Sequence, residues 1–193
     1  LFATQPAGSR SGSALTTQPV VTAADAAGNV DTDFTGSISL TEASAGTLSG
    51  TTSKAAVAGV ATFTDLKYSA SADQESFALT TSNSSSLANA ASVSVTSDVV
   101  ATRLVFATEP APTSIASGVA TSFTPVPVVR AVDADGLLDT GYTTAVVLSV
   151  TDTAGSAAPA GTVGNLSATG DGDANVATVT ISATSGAATF TGL

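Results

Sequence analysis

The sequence predicts an all-β protein made of tandem β-sandwich modules, the second of them truncated. Three observations carry this reading. A segment is written twice in the chain, apolar residues recur with a period of two, and the composition is that of strands and turns.

The repeat sets the domain count. Residues 19–32 read P-V-V-T-A-A-D-A-A-G-N-V-D-T, and residues 127–140 read P-V-V-R-A-V-D-A-D-G-L-L-D-T. Phe2-Ala3-Thr4-Gln5-Pro6 matches Phe106-Ala107-Thr108-Glu109-Pro110, and Ala61-Thr62-Phe63-Thr64-Asp65-Leu66 matches Ala188-Thr189-Phe190-Thr191-Gly192-Leu193. Self-similarity of this kind marks a repeat architecture. The offset between copies is 104 at Phe2, 108 at Val21 and 127 at Ala61, so copy two gains four residues before its P-V-V segment and nineteen after its D-T. Part of the larger gain is the polar run Gly170-Asp171-Gly172-Asp173-Ala174-Asn175. Insertions that spare the flanking apolar pattern belong in surface loops.

The modules are expected at residues 1–101 and 102–193. Val99-Val100-Ala101 runs into Leu104-Val105-Phe106 with almost no linker, which predicts a semi-rigid rod. Copy one continues past Leu66 to about Val100 with further strand-like runs, whereas copy two stops at Leu193, and the chain has no Met. The expectation is an internal piece of a longer protein cut inside its second module. Supply of the missing strands by a neighbouring chain is the alternative.

Alternation supplies the strands. Ile38 and Leu40 share one face, with Ser37, Ser39 and Thr41 opposite. Phe77 and Leu79 alternate with Ala78 and Thr80, and Val93 and Val95 alternate with Ser92, Ser94 and Thr96. Val176, Val179 and Ile181 lie in a run of the same type. Half-buried antiparallel strands read this way. Gly28-Asn29, Gly46, Gly50, Gly59, Gly136, Gly141 and Gly161 punctuate the runs as turns. No stretch combines helix caps with a 3.6-residue period, so no substantial helix is expected. Short strands in units of about 100 residues imply two sheets closing over one core.

Composition narrows the class of object. Charged residues are 10% of the 193 and the mean hydropathy is +0.37, which is not a disordered polar chain. No apolar run approaches the length of about 18 residues that a membrane helix needs. The net charge is −10, and the basic residues Arg10, Lys54, Lys67, Arg103 and Arg130 are scattered. Nucleic-acid binding needs clustered cations and is not expected. There is no Cys. Few Lys and abundant Thr, Ser and Gly favour an extracellular, cell-surface or secreted location, where many repeat proteins dispense with disulfides.

The segment Asp25-Ala26-Ala27-Gly28-Asn29, then Phe34-Thr35-Gly36-Ser37-Ile38-Ser39-Leu40, then Gly46-Thr47-Leu48, then Gly59-Val60-Ala61-Thr62-Phe63, resembles the bacterial immunoglobulin-like repeats of invasin- and intimin-type surface adhesins. Those repeats carry a D-x-x-G-N turn, a strand, a G-x-L turn and a G-x-A-T-F/V strand in this order. The resemblance covers most of module one and, less regularly, module two, where Leu137 replaces the Asn. It implies tandem immunoglobulin-like sandwiches stacked as a stalk or filament, with neighbouring repeats, self-association into fibres, or a host or surface ligand as partners. It implies no binding residues in this segment.

The chemistry available is sparse. The chain has no His, Cys or Trp, which removes Ser-His-Asp and Cys-His catalysis and the usual transition-metal ligands. Paired carboxylates across a sugar cleft would remain, but aromatic residues are only 5%, so no enzyme is expected. The candidate ligand residues are for calcium. Asp25, Asp31 and Asp33 crowd one turn, Asp133, Asp135 and Asp139 repeat it, and Asp171 and Asp173 sit on the inserted loop. Calcium takes several oxygen ligands from flexible loops. The competing reading is that aspartates in tight turns bond to their own backbone.

Two modifications are conceivable: an isopeptide bond at Lys54 or Lys67, and glycosylation at the sequons Asn83-Ser84-Ser85 and Asn165-Leu166-Ser167. Alternatives to a structural role are a glycan- or protein-binding module using the inserted loop, or an accessory domain of a larger enzyme.

Overall fold

The computed structural model describes residues 1–113, 120–151, 165–174 and 177–193. The chain is all-β, of the β-sandwich class, with no helix among the described residues. It divides into two compact units, Leu1–Val99 and Val100–Leu193. The expected Val176 and the turn at Gly161 lie outside the described residues.

Unit 1 contains β1 (Phe2–Thr4), β2 (Ser9–Arg10), β3 (Val20–Thr22), β4 (Ser37–Thr41), β5 (Thr47–Ser49), β6 (Ser53–Ala55), β7 (Val60–Thr62), β8 (Lys67–Ser69), β9 (Glu75–Phe77), β10 (Thr80–Asn83) and β11 (Val95–Asp98). One layer has the order β1-β3-β7. Further sheets have the orders β2-β11-β9, β10-β4-β6 and β5-β8. Only Ala78 and Leu79 separate β9 from β10, so one stretch of chain pairs first with β11 and then with β4. The pairing of β2 with β11 is parallel, so the opening segment leaves β3 in one sheet and joins the last strand in another.

Burial follows the predicted alternation. Ile38, Leu40, Phe77, Leu79 and Val95 are buried, as the period of two requires. Val93 differs. It is exposed and precedes β11, and its N–H donates to Gln5 Oε1 at 3.0 Å instead of joining a ladder. Phe63, Leu66, Tyr68 and Val99 complete a core with almost no solvent exposure.

Unit 2 contains β12 (Arg103–Thr108), β13 (Val128–Val132), β14 (Ala145–Ser149), β15 (Thr178–Ser182) and β16 (Ala187–Thr189). Its sheets are β12-β13-β16 and β14-β15. Val129, Val146, Val179, Ala188 and Phe190 form its core, with Tyr142, Leu148, Ile181 and Leu193 packed against them.

Register ties the units together strand by strand. Phe2 faces Val21 as Phe106 faces Val129, and each pair is followed by the same bulge, at Ala3 and at Ala107. Val21 faces Ala61 as Val129 faces Ala188. Ile38 faces Lys54 as Val146 faces Ile181. Strands β12, β13, β14, β15 and β16 are therefore the counterparts of β1, β3, β4, β6 and β7.

The turns repeat as well. Ala58 and Gly59 both have positive φ, 48° and 76°, and Ser185 and Gly186 have 47° and 79°. Two successive positive values define the tight hairpin turn whose twist matches its strands. Val57 and Val60 exchange both backbone hydrogen bonds across the first turn, and Thr184 and Ala187 across the second.

Candidate functional site

The repeated aspartate turns lie between β3 and β4 and between β13 and β14. In unit 1, Asp25 Oδ1 accepts the N–H groups of Ala27 at 2.9 Å and Asn29 at 2.8 Å, and Oδ2 accepts the Asn29 side-chain amide at 2.9 Å. In unit 2, Asp133 Oδ1 accepts the N–H groups of Asp135 at 3.0 Å and Leu137 at 2.9 Å. An aspartate bonded to the backbone two residues on builds the turn from its own side chain. Leu137, in the place of Asn29, keeps the backbone bond and loses the side-chain one. The amide and backbone donors of Asn29, its main partners, hold the Asp25 carboxyl below the ordinary carboxylate value.

The second aspartate of each turn closes the next step. Asp31 Oδ1 accepts the N–H of Asp33 at 3.1 Å, and Asp139 Oδ2 accepts the N–H of Ala101 at 2.9 Å. Asp25 and Asp31 are exposed, whereas Asp133 and Asp139 are buried. Segment 101–103 accounts for part of this difference, because Arg103 donates to the carbonyls of Asp133 and Ala134 and Ala101 donates to Asp139. Asp33 and Asp135 are exposed. A cleft of about 380 Å³ opens beside the unit 1 turn, lined by Ala23, Asp25, Asn29, Asp31 and Leu87 among others.

The inserted loop is tied to β15. Asp171 Oδ1 accepts the N–H groups of Asp173 at 3.2 Å and Thr180 at 3.0 Å. Asp173 accepts the hydroxyls of Thr178 at 3.2 Å and Thr180 at 2.5 Å. Asn175, the last residue of the run, lies outside the described residues. Among the described residues no three acidic side chains gather in a group able to hold a metal ion.

A polar network that sequence reading missed lies in unit 1. Glu75 Oε1 accepts the N–H groups of Ala45 and Gly46, each at 3.0 Å, and Oε2 accepts the Ser71 N–H at 2.6 Å. The Tyr68 hydroxyl pairs with Ser44 Oγ at 2.7 Å, and Ser44 in turn bonds to Glu42. The Tyr68 ring stacks on Phe77 at 3.8 Å between centroids. Burial, above all, raises the Tyr68 hydroxyl pKa, while the Ser71 N–H is the main cause lowering that of Glu75. These residues come from separate strands and turns with no shared motif, so only folding brings them together.

Lys54 and Lys67 are exposed. The Asn83 side chain is occupied by its own loop, accepting the Ser85 N–H at 3.0 Å and donating to the Leu87 carbonyl at 2.9 Å. Asn165 is exposed. In comparisons with known proteins, no family model, no curated protein and no solved structure matches this chain.

Proposed function

We propose that the chain belongs to the structural repeat region of a large bacterial surface or secreted protein, and that its two units are immunoglobulin-like modules used as spacers in a stalk or filament. One observation carries this reading: two units with little sequence in common outside the repeated segments keep the same register, bulge and turn. A carboxylate that bonds two backbone N–H groups in each unit is spent on holding the module's shape. The passage of the opening segment from one sheet to a parallel pairing with the last strand supports the immunoglobulin-like topology. The lack of His and Cys in the sequence fits a mechanical rather than a catalytic role.

Electron microscopy of the native full-length protein tests the proposal. A rod or filament with a periodicity of one module is expected. A single compact particle without repeating modules would overturn it.

A further inference from the structure

The sequence holds two Asp-Gly pairs, Asp135-Gly136 and Asp171-Gly172, both in unit 2. Such a pair carries chemistry of its own. The glycine nitrogen can attack the side-chain carboxyl carbon of the residue before it and close a five-membered imide, because glycine has no Cβ to obstruct the approach. Folding decides which pair reacts. The carboxyl must be free to turn, and the nitrogen must leave its hydrogen bond.

The two pairs differ in both respects. Asp171 is half-buried, and its Oδ1 is held by the N–H groups of Asp173 and Thr180. The Gly172 N–H donates to the Thr180 carbonyl at 2.9 Å. Carboxyl and nitrogen are thus both tied to β15. Asp135 and Gly136 are exposed in the repeated aspartate turn. The Asp135 carboxylate accepts no hydrogen bond among the described residues. The Gly136 N–H reaches the Asp133 carbonyl at 3.3 Å, longer than the ordinary range for such a bond. In unit 1 the matching pair is Ala27-Gly28, which has no carboxyl to react.

We propose that Asp135 is a site of isoaspartate formation in the folded chain, and that Asp171 is protected by its fold. The bond from the Gly136 nitrogen to Asp135 Cγ forms, a Cγ–O bond breaks, and the amide hydrogen leaves with the carboxyl OH as water. A second water opens the imide. Cleavage at Cγ restores aspartate, and cleavage at the Asp135 main-chain carbonyl carbon leaves Gly136 joined through Cγ. The composition is unchanged overall, and no oxidant or reductant takes part. The new link adds one carbon to the backbone inside the turn that Asp133 and Leu137 close with two hydrogen bonds, Asp133 N–H to the Leu137 carbonyl at 3.0 Å and Leu137 N–H to Asp133 Oδ1 at 2.9 Å. Arg103 donates to the carbonyls of Asp133 and Ala134 in the same turn, so the change reaches the start of β12. This inference is independent of the spacer role.

The test incubates the full chain at neutral pH, native and in denaturant, and labels it with a methyltransferase specific for isoaspartyl carboxyls. Chymotryptic mapping, with a cut at Tyr142, separates the two pairs. In denaturant both peptides should gain label at similar rates. In the native chain the label should gather on the peptide holding Asp135 and stay near background on that holding Asp171. Asp135→Glu, whose ring would need six members, should remove the native label, while Asp171→Glu should leave it unchanged. Either variant changes one side chain of a loop, and circular dichroism checks that it folds. No label on the native chain would overturn the proposal, as would native label on Asp171 equal to that on Asp135.

Discussion

At the scale of single residues, the two hairpin glycines carry the clearest demand. Gly59 and Gly186 have positive φ, and a Cβ on either would collide with a carbonyl oxygen, that of Asp31 or Asp139 respectively. Neither strain nor clash can be relieved by a rotamer, since both involve backbone. Gly59→Ala and Gly186→Ala should each cost about 1–3 kcal/mol, read as a fall in melting midpoint by calorimetry. The carboxylates of unit 1 make a second demand. Asp25, Asp65 and Glu75 all have lowered pKa values, through hydrogen bonds from Asn29, Thr51 and Ser71 respectively. Such groups contribute stability above the unfolded pKa and lose it as pH falls through the folded value. Unit 1 should therefore weaken on acidification below about pH 4. Glu75→Gln should lower its melting midpoint at pH 7 and shrink the difference between pH 7 and pH 3. An unchanged difference would show that Glu75 takes no part. The aspartate turns allow a direct test of their role. If backbone bonding is their whole purpose, the melting midpoint should be the same in millimolar calcium and in chelator. A clear rise in calcium would assign an ion to one of the turns or to the inserted loop.

At the scale of elements, the predicted core positions and the all-β class were legible where one face of a strand is buried. Ile38 and Leu40 are the plain case, since their alternation survives with β4 between two neighbours. Val93 shows the limit: the alternation continues beyond the point where the ladder ends, and periodicity alone does not say where pairing stops. Strand β6 was hidden for the opposite reason. Ser53, Lys54 and Ala55 are all exposed, so they carry no apolar signal. The parallel contact of β2 with β11 was also out of reach, because it joins segments from opposite ends of the unit. Of the candidate site, the aspartate turns were legible as clusters, while the choice between ion and backbone was not, because both uses place Asp in Gly-rich turns. The Glu42, Tyr68 and Glu75 assembly left no local signature at all. The matched pair Phe63 and Phe190 gives an element-level prediction. Each follows the strand after the hairpin turn, is almost wholly buried and donates its N–H to a proline carbonyl, Pro19 or Pro127. Phe63→Ala and Phe190→Ala should each cost about 3–5 kcal/mol, and denaturant titration should show the loss in the unit that carries the change.

At the scale of the whole molecule, the division at Val99 and Val100 gives each unit its own core and its own copy of the bulge, hairpin turn and aspartate turn. The net charge of −10 on 193 residues acts against indiscriminate association between copies of the chain, because they repel at low ionic strength and do so less as salt screens them. The composition also has a spectroscopic consequence. The chain has no Trp and two Tyr: Tyr68, buried against Phe77 in unit 1, and Tyr142, half-buried in unit 2. Each unit therefore holds one native fluorophore in a different environment. Replacing either with Phe silences one unit's emission and leaves the other's, so the unfolding of each half can be followed without attaching a dye.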